Sequence, residues 1–143
     1  MMKSIKEIMD GEHLKILRLL KEFKNQLNED RENASKIFNN LYWNLEKHFF
    51  IEEKVIFSIF SLSKPEKDND GLLKLLKEHK DILFLVERIQ NDIDDIGQES
   101  EELKETLINH VKFEDEIFYP RLDKELDELE KQLIFERVGG LIG

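Results

Sequence analysis

A ten-residue phrase occurs twice in this chain, and little else in the sequence constrains the fold as strongly. The first copy is His48-Phe49-Phe50-Ile51-Glu52-Glu53-Lys54-Val55-Ile56-Phe57. The second, 62 residues later, is His110-Val111-Lys112-Phe113-Glu114-Asp115-Glu116-Ile117-Phe118-Tyr119. Each places a His four residues before a Glu, adds a second acidic residue, and closes on an apolar-aromatic run. Residues i and i+4 stack on one helix face. Each copy therefore aims an imidazole and a carboxylate in one direction, and two such faces turned toward each other make a metal site.

The surrounding periodicity is helical. Ile5, Met9, His13, Ile16, Leu20, Phe23 and Leu27 recur at steps of three, four or seven. Ser4-Ile5-Lys6-Glu7 has the spacing of a capping box ahead of that row. Gly11 interrupts it at a cost of roughly 1 kcal/mol, marking either a late helix start at Asp10 or a close approach. Asn28-Glu29-Asp30 reads as a turn. A second helix to about Ser61 carries Ile37, Leu41, Leu45, His48, Glu52, Val55 and Ile59, and the segment from Ser61 to Pro65 ends it.

Lys67-Asp68-Asn69-Asp70-Gly71 reads as polar loop or frayed helix start. The third helix carries Leu72, Leu75, Leu76, His79, Ile82, Val86, Ile89 and Ile93 to about Ile96, with Gly97 as C-cap. Gly97-Gln98-Glu99-Ser100 is expected to turn into a fourth helix N-capped at Ser100. That helix shows Leu103, Leu107, His110, Glu114 and Ile117 on one face and is ended or kinked by Pro120. A short fifth helix is expected near Leu122 to Val138, followed by a frayed tail from Gly139 to Gly143. The implied fold is all-α: one domain, residues 1–143, an antiparallel up-down-up-down four-helix bundle with a short C-terminal fifth helix.

The chain thus consists of two similar hairpins. Glu12-His13 in the first helix matches Glu78-His79 in the third, and the two phrases match in the second and fourth. All four His of the chain fall on core-facing rows, as do Glu52 and Glu114. Burying two carboxylates without partners costs several kcal/mol, on the order of 3–5 each, and a bound cation meets that cost. Four imidazoles and two carboxylates suit Fe, Mn, Zn or Ni. With two ions, each has two His nitrogens and two bridging carboxylate oxygens. A bridging oxide or hydroxide brings each to five ligands and leaves about one octahedral position for a small molecule. Glu53, Asp115, Glu12 and Glu78 flank these residues and point about 100° away; most are expected in solvent, one or two as acceptors for a ligand imidazole N–H. Tyr42, Trp43 and Tyr119 are expected in the core or at its rim.

Composition excludes several classes. Hydrophobic residues make up 40% and charged residues 38% of 143, with a formal net charge of −10. That charge disfavours nucleic acid and anionic lipid. Without cysteine there is neither disulfide nor thiolate site. No signal peptide or membrane-length apolar run is evident, so a cytoplasmic location is expected.

This residue set, from His13 to about Leu122, resembles the hemerythrin-like, or HHE cation-binding, family. The resemblance rests on both His-x-x-x-Glu phrases, on the lone His before each, and on the closing Phe118-Tyr119-Pro120. It implies a left-handed antiparallel four-helix bundle around a non-haem di-iron centre. The metal ligands would be His13, His48, Glu52, His79, His110 and Glu114, with Glu52 and Glu114 bridging two Fe ions through an oxo- or hydroxo-bridged core; zinc or manganese are the alternatives. The oxygen-carrying members have a fifth His one turn before the third-helix His, where this chain has Leu75. They also use an Asp one residue after the position of Glu114, where Asp115 stands here. A four-His site is more similar to sensing, redox or iron-handling members.

The expected function is therefore to bind or sense dioxygen or a related small oxidant, rather than that of a dedicated enzyme. The alternatives are iron homeostasis, redox turnover of peroxide or nitric oxide, and a helical interaction module with a structural metal. A sensor without an output domain would need a protein partner. The sequence does not fix the oligomeric state.

Overall fold

The computed structural model describes residues 4–63, 70–91 and 97–142. Among them there is no strand. The helices are α1 (Ile5–Gln26), α2 (Arg31–Ile51), a π-helical turn π1 (Glu52–Ile56), α3 (Phe57–Ser63), α4 (Asp70–Asn91), α5 (Gly97–Phe113), a second π-turn π2 (Glu114–Phe118), α6 (Tyr119–Glu125) and α7 (Glu128–Ile142). α2, π1 and α3 run on without a break, as do α5, π2 and α6. No described helix is long and apolar enough to cross a membrane.

Local chemistry sets the helix starts. Ser4 Oγ accepts the Glu7 N–H at 3.0 Å and caps α1. Asp30 Oδ1 accepts the Asn33 N–H at 3.1 Å and caps α2. These bonds satisfy donors that the first turn leaves unpaired. α1 passes through Gly11 unbroken, and no atom beyond its own stretch of helix lies within 4 Å of where a Cβ would sit there, so neither the late start nor the close approach holds.

Four further expectations are corrected. Gly97 opens α5 rather than capping the preceding helix, and Gly97–Ser100 are helical. Glu99 lies in the first turn, where a carboxylate complements the helix dipole, and accepts a bond from Arg88 Nη2 of α4 at 2.6 Å. Pro120 does not end its helix, which continues to Glu125. The wide π2 turn directly precedes it, so its missing N–H falls where the α ladder is already interrupted. Leu122 belongs to this helix. The break comes at Leu126, which is extended, and Asp127 with Glu130 forms a reciprocal capping box for α7, at 2.9 and 2.8 Å. Finally, the tail stays helical through Ile142. Lys64, Pro65, Lys67, Asp68, Asn69, Ile93, Ile96 and Gly143 lie outside the described residues.

α1 packs on α2, α4 on α5, α2 on α4 and α1 on α5, while α6 and α7 return against α1. The Ile5 N–H donates to Asp123 Oδ1 at 2.8 Å, fastening α6 to the start of α1. Two apolar clusters form the core. One contains Ile5, Met9, Ile51, Leu75, Phe118 and Leu122; the other contains Ile16, Phe23, Leu45, Ile82, Leu103 and Leu107. Each His follows a residue of one cluster and precedes a residue of the other along its helix, so the polar residues form a layer between them.

Candidate metal centre

The layer gathers all six residues singled out above: His13 from α1, His48 from α2, Glu52 from π1, His79 from α4, His110 from α5 and Glu114 from π2. Each is no more than 2% exposed. Burial follows from the helical rows, because each replaces one apolar residue in its stripe. The rings pair within hairpins, with centroids 4.9 Å apart for His13 and His48 and 5.0 Å for His79 and His110.

All four Nε2 atoms approach carboxylates. Glu52 Oε1 lies 3.2 Å from His48 Nε2 and 3.1 Å from His79 Nε2, one from each hairpin. Glu114 Oε1 lies 3.0 Å from His13 Nε2, 3.5 Å from His110 Nε2 and 3.7 Å from His48 Nε2. Two sets of donor atoms, each within 4.8 Å of one another, share Glu114. One set is Glu52, His79, His110 and Glu114; the other is His13, His48 and Glu114.

The donor set fits a cation. Nε2 of His48, His79 and His110, Glu52 Oε1 and Glu114 Oε2 are buried and have no hydrogen-bond partner. Such groups cost on the order of 1–3 kcal/mol each unless something else satisfies them. Oxygen and imidazole nitrogen converging on one point are what a borderline divalent ion takes.

The outward Nδ1 atoms are held as well. His13 Nδ1–H donates to Asp115 at 2.9 Å, His79 Nδ1–H to Glu53 at 2.8 Å, and His110 Nδ1–H to Glu78 at 2.8 Å. Three of the four flanking carboxylates therefore turn toward the centre, and the expectation that most are solvated is overturned. The reason is reach: a carboxylate about 100° around one helix points at the neighbouring helix, where the next imidazole presents its back. Glu12, the fourth, is buried and pairs with Lys47 at 3.5 Å.

These contacts set the electrostatics. Burial works to lower the His13 pKa, but bonds to Asp115 and Glu114 outweigh it and raise it to about 9. His48 goes to about 10, burial being outweighed mainly by the Glu52 charge. His79 also rises, against burial, through the Glu52 carboxylate close to its Nε2. Glu52 is held well below the usual carboxylate range: burial opposes this, and the charge on His48 dominates. The bond to His110 lowers Glu78 to about 2. Burial, then the Glu114 and Glu52 charges, push Tyr119 well above its ordinary value.

Two features of the site escaped the sequence pattern. The π-turns begin at the two Glu residues, and the N–H of Phe57 and Tyr119 reaches five residues back to Glu52 and Glu114. The added residue rotates the downstream part of each helix. Ile117, expected on the buried face, is 56% exposed, and Phe118 and Tyr119 are buried instead. The rotation also brings the fifth residue after each Glu over a lone His. Phe57 stacks on His79 at 5.8 Å, and Tyr119 on His13 at 5.7 Å. Trp43 is exposed, and Tyr42 lies at the rim, 3.4 Å from Glu87.

A family model for the hemerythrin HHE cation-binding domain matches residues 4–122. Neither a curated protein nor a solved structure matches the chain.

Proposed function

The chain belongs to the hemerythrin HHE cation-binding domain family, and from that premise we propose that it is a non-haem di-iron protein that binds or senses dioxygen or a related small oxidant. The observation that carries this reading is the pair of donor sets sharing Glu114, with imidazole and carboxylate atoms buried and unpartnered at their centre. In it His13, His48, Glu52, His79, His110 and Glu114 would hold the two irons. Iron in its reduced state would supply the electrons that a small oxidant takes up. The chain's own part is to fix four imidazoles through Nε2, exclude bulk water with two apolar clusters, and keep Glu52 ionised. The same reading takes residues 1–143 as one cytoplasmic domain and the bundle as antiparallel, up-down-up-down. Its support is that α1 and α4 run from the first apolar cluster to the second, α2 and α5 from the second to the first.

Leu75, at the position of the carriers' fifth His, is fully buried and offers no donor atom. This favours sensing or redox handling over reversible carriage. The test is elemental analysis of protein made in iron-replete medium, then reaction of the reduced protein with oxygen. About two irons per chain are expected for this ligand count. One zinc, or a folded chain that takes up no metal, would sink the reading.

A further inference from the structure

The two hairpins are related residue by residue, and the relation is incomplete at one corner. Glu53 and Asp115 occupy the same place in the two phrases, and each accepts from the lone His of the opposite hairpin, His79 and His13. Glu78, directly before His79, accepts from His110 of its own hairpin. The equivalent of Glu78 is Glu12, directly before His13, and the equivalent of His110 is His48. Yet His48 Nδ1 is buried with no hydrogen-bond partner, and Glu12 Oε1 is buried with none either. Glu12 is 6% exposed and instead lies 3.5 Å from Lys47 Nζ, on the residue next to His48. A surface pocket of about 230 Å3 opens at this corner, lined by Ile8, Gly11, Glu12, Lys15 and Lys47.

An imidazole that binds a cation through Nε2 must carry its proton on Nδ1, and a buried N–H without an acceptor is costly. At three corners that acceptor is in place. We propose that Glu12 is the fourth, a positioning residue that accepts the His48 Nδ1–H when a cation takes Nε2, giving up its contact with Lys47. Metal uptake at the His13–His48 side is then coupled to the release of Glu12 from Lys47, beside the pocket that both residues line. The inference rests on the metal reading above and deepens it.

The test compares wild type, Glu12→Ala, Glu12→Gln and Lys47→Met, with metal-free melting curves as the folding control. Anaerobic Fe(II) competition gives affinity, and 15N–1H spectra of the Zn2+-loaded protein resolve the imidazole N–H groups one by one. Glu12→Ala is expected to weaken Fe(II) binding about 10–100-fold and to move the His48 Nδ1–H signal upfield while the other three stay. Glu12→Gln, which keeps an acceptor oxygen, restores part of that signal, and Lys47→Met binds Fe(II) at least as tightly as wild type. If Glu12→Ala and Lys47→Met weaken binding alike, the pair is a structural ion pair and the proposal is wrong. An unchanged His48 signal in Glu12→Ala overturns it too, while leaving the metal reading intact. A wild type that takes up no metal overturns both.

Discussion

Tyr119 donates its phenol hydroxyl to Glu52 Oε2, across from the neighbouring helix of the polar layer. The contact breaks the near symmetry of the site. Phe57 occupies the equivalent place in the first phrase and stacks on His79 as Tyr119 stacks on His13, but it has no hydroxyl to offer Glu114. One bridging candidate thus carries a phenol bond and the other does not. A buried ionised carboxylate that loses a donor pays part of its desolvation cost. Tyr119→Phe should therefore destabilise the metal-free protein by about 1–3 kcal/mol, read as a lower urea midpoint at unchanged slope. An unchanged midpoint in Tyr119→Phe would show that the imidazoles of His48 and His79 satisfy Glu52 without the phenol.

The π-turns make a prediction that separates them from a continuous α-helix. In an unbroken helix Ile117 and Phe118, three and four residues after Glu114, would share its buried face, and Tyr119, five after it, would turn away. With the extra residue Ile117 and Tyr119 exchange places: Ile117 is 56% exposed and Tyr119 fully buried. Ile117→Lys should then change stability by no more than about 0.5 kcal/mol. Tyr119→Ala should cost about 3–5 kcal/mol, the usual range for emptying a large aromatic site. Thermal melts of the two variants settle the register, and a costly Ile117→Lys would count against the π-turn.

Much of this arrangement is legible in the sequence because it is periodic. Four His and two Glu stand in apolar rows, so their helical faces follow from spacing, and each of them is buried where the rows place it. The π-turns are not legible, because an inserted residue leaves the composition unchanged and shifts only the residues downstream of it. Ile117 is misplaced by the simple period for that reason, and the pattern puts Tyr119 in the core without revealing its partner Glu52. The carboxylates behind the imidazoles do leave a signal: Glu53 and Asp115 align in the two phrases, as do Glu12 and Glu78. Their role is hidden because a position about 100° from the stripe reads as a wet face on an isolated helix. It becomes a contact only when a neighbouring helix brings an Nδ1–H to it. Gly97 misleads for a similar reason, since glycine is favoured after a helix but is not barred from starting one when acidic residues come next.

Leu75 tests how closed the apolar cluster is beside the centre. It is fully buried among Ile51, Ile56 and Leu72. A His placed there brings a polar ring into a cluster with no ready acceptor. Leu75→His should cost the metal-free protein about 1–3 kcal/mol. If position 75 faces the centre, one turn before His79, metal loading should return most of that loss, because the new nitrogen gains a partner. Urea unfolding with and without Zn2+ reads the difference. A variant that stays equally destabilised in both states would show that residue 75 points away from the metal.

The empty and loaded centres should also differ in their response to pH. His13 and His48 have folded pKa values of about 9 and about 10 against an ordinary 6.5. In the metal-free protein their protonation favours the folded state. That contribution is complete below about 6.5, where both folded and unfolded forms are protonated. It is lost as pH rises from there through 9 and 10. Glu78, lowered to about 2 from 4.5, acts at the other end: its contribution is complete above 4.5 and is lost as pH falls toward 2. The metal-free protein should therefore be most stable between about pH 4.5 and 6.5 and weaken on both sides. A metal takes the same Nε2 atoms and needs them unprotonated, so loading at pH 7 should release at least about two protons per chain, from His13 and His48, with His79 adding to the count. Calorimetric titration in buffers of different ionisation enthalpy counts those protons. His48→Gln should lower the count by about one and flatten the alkaline limb of the metal-free profile. A count near zero in the wild type would mean that the imidazoles are already neutral in the empty site, and that the acidic residues around them are balanced in some other way.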